Sequence, residues 1–116
     1  MNRNEIWLIN LDPTIGAEIK KIRPSLIISS NEIGNLPLRI IAPITEWKPH
    51  FKEIPWMVKI LPNKTSGLTK ISAVDLFQIR SVSTNRFIKQ LGFVDDNTMR
   101  LAMIAISDVL EMQFDE

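Results

Sequence analysis

The sequence predicts a mainly β fold completed by one C-terminal α-helix, and two patterns carry that expectation. Apolar and β-branched runs four to eight residues long, separated by clusters of Pro, Gly, Asn or Ser, fill the first four fifths of the chain. Beyond Asp95 the apolar residues change to spacings of three and four. At 116 residues the chain can build one core and is too short for two, so a single domain over residues 1–116 is expected.

Seven runs read as strands: 5–11, 25–30, 38–44, 54–60, 71–77, 78–82 and 87–94. Turn-forming segments divide them at 12–16, 31–35, 45–55 and 61–67, each rich in residues that accept tight or left-handed backbone. Leu26-Ile27-Ile28 and Arg39-Ile40-Ile41-Ala42 are apolar on both faces, so both faces should be covered. A small closed barrel with a packing helix, or a dimer, would cover them. In the last segment Asp95 or Asp96 can cap a helix whose apolar stripe is Met99, Ala102, Met103, Ile106, Val109, Leu110 and Gln113, with Arg100, Asp108 and Glu111 off it.

Composition removes several function classes. With 45% hydrophobic and 23% charged residues the chain is ordinary for a globular protein, and no stretch approaches the roughly 20 apolar residues of a membrane span. Glu5 stands directly before a first apolar run too short for a signal peptide, so a cytoplasmic location and no membrane partner are expected. The absence of cysteine excludes disulfides, thiolate ligands and a cysteine nucleophile. One histidine, His50, cannot supply an imidazole base and acid within one chain. A His/Cys metal cluster, a Walker-type phosphate loop and a Gly-x-Ser-x-Gly elbow are all lacking, so no metal or cofactor is expected.

Net charge is only +1, but the charges segregate. Residues 59–94 carry six Lys/Arg (Lys59, Lys64, Lys70, Arg80, Arg86, Lys89) against Asp75 alone, whereas residues 95–116 carry Arg100 against six acids. A basic middle can attract a polyanion while an acidic tail keeps the whole soluble. Chemistry-bearing residues concentrate in the loop 16–24, which holds Glu18, Lys20, Lys21 and Arg23. Pro24 restricts Arg23 to extended backbone at the base of the second strand, where a fixed planar guanidinium suits a phosphate. Ala42-Pro43-Ile44-Thr45 likewise sets the Thr45 hydroxyl at a strand end.

Six segments, in this order and spacing, resemble the MazF/PemK family of toxin endoribonucleases. They are Ile6-Trp7-Leu8-Ile9-Asn10-Leu11-Asp12-Pro13-Thr14-Ile15-Gly16-Ala17-Glu18, Arg23-Pro24-Ser25-Leu26-Ile27-Ile28-Ser29 and Ile41-Ala42-Pro43-Ile44-Thr45, followed by Gly67-Leu68-Thr69-Lys70-Ile71-Ser72-Ala73-Val74, Gln78-Ile79-Arg80-Ser81-Val82 and Arg86-Phe87-Ile88-Lys89-Gln90-Leu91-Gly92. The resemblance implies a small SH3-like barrel of the CcdB/PemK type, a homodimer, and metal-independent cleavage of single-stranded RNA at short motifs. It further implies a cognate antitoxin whose acidic tail covers the basic face, with DNA contacted only through that antitoxin.

Carried over by position, the resemblance puts the catalytic arginine at Arg23 and the catalytic threonine at Thr45, and implies RNA-contacting or site-shaping roles for Glu18, Lys20, Lys21, Ser72, Gln78 and Arg80. Taken without it, Thr45 is a strand-end hydroxyl and Arg80 could pair with Asp75 at a barrel edge. Three features depart from the family pattern: Asn4-Glu5 stands in place of Gly-Asp, Phe77 precedes Gln78 in place of an acid, and the chain ends Met112-Gln113-Phe114-Asp115-Glu116. They bear on the dimer surface and RNA preference, not on Arg23 or Thr45. Two rival classes are a gyrase poison on the same barrel, which needs no Arg23 and Thr45 pair, and a catalytically silent RNA-binding module.

Overall fold

The computed structural model describes residues 1–113. Seven antiparallel strands are present: β1 (Glu5–Asn10), β2 (Ile22–Ile27), β3 (Leu38–Glu46), β4 (Met57–Ile60), β5 (Ser72–Asp75), β6 (Arg80–Ser83) and β7 (Phe87–Phe93). A single α-helix, α1 (Asp96–Val109), follows them. The strand order is β4-β5-β3-β2-β1-β7, with β6 also on β3. Among the described residues no helix is long and apolar enough to cross a membrane.

β3 organises the molecule. Its middle pairs with β2 (Ser25↔Pro43 to Ile27↔Ile41). Its first half also pairs with β6, and from Ile44 to Glu46 it pairs with β5. Pro43, which has no amide hydrogen to donate, sits where the strand passes from β6 to β5, a place where a ladder bond is missing anyway. The sheet therefore coils into two layers around β1 to β3. Ile6, Leu26, Ala42 and Ile44 fall in one core, under β4, β5 and Ala102 and Ala105 of α1. Ile9, Ile27 and Ile41 fall in a second core with Leu11 and Val82, flanked by Trp7 and Phe87. Leu26-Ile27-Ile28 is thus covered on both sides within one chain, whereas in the run 39–42 Ile41 and Ala42 are buried and Ile40 stays exposed.

The expected closed barrel is corrected to an open one. β4 and β7 end the hydrogen-bonded path, and the seam between them is filled by the 61–68 loop, where Phe93 N–H donates to Thr65 O at 2.9 Å. Boundaries also move. β2 begins at Ile22, before Arg23, and leaves the ladder where Ile28 and Ser29 both donate to the Ile40 carbonyl while Ser29 Oγ accepts the Ile40 amide. β4 starts only at Met57 because a 3-10 turn over Pro49–Glu53 and then Pro55 precede it. In α1, Asp95 caps by accepting the Thr98 amide at 2.8 Å. The helix stops at Val109, so Leu110 and Gln113 of the expected stripe lie beyond it. The chain end at Phe114-Asp115-Glu116 lies outside the described residues.

Candidate active site

Arg23 is the second residue of β2, paired with Ile9 of β1. The β2–β3 ladder ends at Ser25↔Pro43, two residues short of Arg23 on β2 and of Thr45 on β3. Both side chains line one cleft of about 200 Å³, with Glu46, Thr69, Lys70 and Ser72 around them. Thr45 and Glu46 are held by pairing to Ala73 and Ser72 of β5. Arg23 is exposed, and its Nε donates to the Lys20 carbonyl at 3.2 Å, which leaves the terminal guanidinium nitrogens for a ligand. Ser72 Oγ donates to the Lys70 carbonyl at 2.9 Å and so braces the segment carrying Lys70.

The remaining expected site residues divide between two places. Glu18, Gln78 and Arg80 line a separate cleft of about 360 Å³, floored by Leu11 and Pro43. There Gln78 Oε1 accepts the Ile19 amide at 2.7 Å, and Arg80 Nη1 donates to the Leu11 carbonyl at 3.0 Å. Arg80 therefore does not pair with Asp75, which is buried and accepts the Phe77 amide at 3.0 Å. Burial pushes the Asp75 carboxyl above its usual range, against the pull of the Phe77 and Gln78 amides. Glu18 Oε1 accepts the Ile15 amide at 2.6 Å, tying it into its own loop. Lys20 and Lys21 line neither cleft. Lys21 has a left-handed φ of 70° and is fixed by its amide to Asp12 Oδ1 (3.0 Å) and its carbonyl from Leu11 N–H (2.9 Å).

A third groove lies around the 3-10 turn and the start of β4. Trp47, Phe51 and Lys59 line it, with Lys59 Nζ 5.0 Å above the Trp47 ring and Phe51 edge-on to Trp47 at 5.8 Å. His50 is exposed on the 3-10 turn with its ring 4.7 Å from Phe51, and it does not line the Arg23 cleft. Reading along the sequence missed Glu46, Thr69 and Lys70. The signal that finds them is pairing, Glu46↔Ser72, which only the fold supplies.

Comparison with known proteins identifies the family. Residues 2–110 match the model of the PemK-like, MazF-like toxin of type II toxin-antitoxin systems. The chain belongs to that family. It is 36% identical to the endoribonuclease MazF of Staphylococcus saprophyticus over 102 residues, covering 86% of this chain and 82% of that one. To the endoribonuclease EndoA of Bacillus subtilis it is 33% identical over 101 residues, covering 85% and 84%. Among solved structures, MazF of Deinococcus radiodurans superposes with a TM-score of 0.78 at 23% identity, covering 97% of each chain. A mycobacterial endoribonuclease in complex with its cognate antitoxin gives 0.77 at 20% identity, covering 99% of each, and these last two likenesses speak for the fold alone.

Proposed function

We propose that this MazF/PemK family member is the endoribonuclease half of a toxin and antitoxin pair, cutting single-stranded RNA by attack of the RNA's own 2′-hydroxyl. The observation that carries the reading is the placement of Arg23 and Thr45 across one cleft, a planar cation and a hydroxyl held on two strands. The guanidinium can hold the scissile phosphate through two N–H groups and stabilise the charge that builds on its oxygens, while Thr45 orients the phosphate or the attacking hydroxyl. Because the nucleophile comes from the substrate, the protein has to position and to move protons, tasks that need no metal. Trp47, Phe51 and Lys59 in a further groove offer aromatic rings and a cation to unpaired bases, which favours a single strand over a duplex.

Support for a homodimer comes from apolar surface that the fold leaves out, notably Leu36 before β3 and Leu38 and Ile40 on it, each at least 39% exposed. The antitoxin partner is carried over from the family, and the basic segment 59–94 is the face an acidic tail would cover. Incubating the purified chain with a long RNA in EDTA tests the whole reading. Discrete fragments ending in a 2′,3′-cyclic phosphate and a 5′-hydroxyl, and absent when the 2′-hydroxyl at the cut is replaced by hydrogen, are expected. Ends bearing a 5′-phosphate, or binding without cleavage, refute it. Light scattering that shows a monomer at micromolar concentration refutes the dimer.

A further inference from the structure

RNA transesterification needs a group to take the 2′-hydroxyl proton and a group to give one to the departing 5′-oxygen. Among the expected site residues Glu18 is the one carboxylate, and the fold puts it in the other cleft with an oxygen held by the Ile15 amide. Among the residues lining the Arg23 and Thr45 cleft, the one that carries a carboxylate is Glu46, exposed at the end of β3. The sole ion pair among the described residues joins the N-terminus to Glu5, so Glu46 is not neutralised by a cation of its own. Lys70 lines the same cleft, on the segment braced by Ser72. Two cations to one carboxylate leave the cleft net positive, as a phosphodiester monoanion requires.

Resting on the endoribonuclease reading, we propose that Glu46 is the proton acceptor and Lys70 the proton donor of the cleavage. The 2′-oxygen bonds to phosphorus as its proton passes to the Glu46 carboxylate. The bond from phosphorus to the 5′-oxygen breaks, and that oxygen leaves with a proton from the Lys70 ammonium. Exchange with water then restores both side chains, and no electron acceptor or further reactant enters. Arg23 holds the phosphate throughout.

The test compares wild type, Glu46→Gln and Lys70→Ala on an RNA oligonucleotide spanning a mapped cut site, and on the same oligonucleotide with sulfur replacing the bridging 5′-oxygen. Sulfur leaves without needing a proton. Glu46→Gln is expected to lose about 10²-fold or more in kcat and the acid limb of the pH–rate profile. It should keep its circular dichroism spectrum and its affinity for the uncleavable 2′-deoxy analogue, and Glu46→Asp should recover part of the rate. Lys70→Ala should be slow on the oxygen substrate and near wild type on the sulfur one, whereas Glu46→Gln stays slow on both. An active wild type with an equally active Glu46→Gln, or a slowed variant that keeps the acid limb, overturns Glu46. A Lys70→Ala defect that sulfur does not relieve overturns Lys70. A wild type that cleaves nothing overturns the endoribonuclease reading, and both assignments with it.

Discussion

Gly67 and Gly92 meet across the seam that separates the two ends of the sheet. A Cβ on Gly92 would stand 2.2 Å from the Thr65 carbonyl oxygen, and one on Gly67 would stand 1.9 Å from that of Leu91. Both obstacles are backbone, which cannot swing aside as a side chain can. Gly67 also has a φ of +70°, a region costly for residues with a Cβ. The seam closes by contact of main chains, and any side chain at either position wedges it apart.

Gly92→Ala should therefore cost about 1–3 kcal/mol of stability, seen as a fall in Tm of roughly 5–15 °C. Gly34→Ala is the comparison. Unlike Gly92 it has a positive φ, +60°, but it meets nothing within 4 Å, so it should cost only about 1 kcal/mol. Thermal denaturation of the two variants side by side checks this, and equal losses would mean that the seam is not the tight contact described.

Arg23→Lys keeps a charge in the cleft and removes the planar fork. Since Arg23 is exposed and its side chain makes one hydrogen bond, to the Lys20 carbonyl, the fold should stand. Activity should fall by about 10²-fold, as when a transition-state donor is lost elsewhere. Steady-state cleavage rates, with a melting curve on the same sample, decide it. A near-normal rate would remove Arg23 from the phosphate.

Gln78 ties the loop bearing Glu18 to the turn after β5, through the Ile19 amide at 2.7 Å and the Ala17 carbonyl at 3.4 Å. Gln78→Ala should loosen that loop without unfolding the sheet. Loss of one such bond is worth about 1 kcal/mol, so amide exchange at Ile19 should quicken about fivefold while exchange in β1 to β3 holds. Hydrogen exchange measured residue by residue gives the answer, and an unchanged Ile19 amide would show that the bond does not restrain the loop.

Asp75 sets part of the pH dependence of stability. Burial raises its carboxyl above the unfolded value, so the folded protein binds the proton more tightly, and stability falls as pH rises through the window from the unfolded to the folded value. Asp95 works in the opposite sense. The Thr98 amide lowers its carboxyl, and its contribution is present above the unfolded value and fades as pH falls toward the folded one. Asp75→Asn can still accept the Phe77 amide, so it should be more stable than wild type at neutral pH and lose that advantage in acid. Urea denaturation across pH checks the sign, and a constant difference between the two proteins would refute it.

Sequence alone determined the elements and pointed to Arg23 and Thr45 as candidate site residues. Seven apolar runs became seven strands, because period and punctuation are local properties that survive in almost any packing. The Asp95 cap was legible for the same reason, and Arg23 and Thr45 stood out because a proline fixes the backbone beside or near each of them. Tertiary structure decided which residues share a cleft. Only the passage of β3 from β6 to β5 places Glu46 opposite Ser72, while the Gln78 to Ile19 bond moves Glu18 into a different cleft. The seam between β4 and β7 was likewise filled by a loop and two glycines and not by strand pairing. Such neighbours depend on register between segments dozens of residues apart, and no pattern along the chain carries that register.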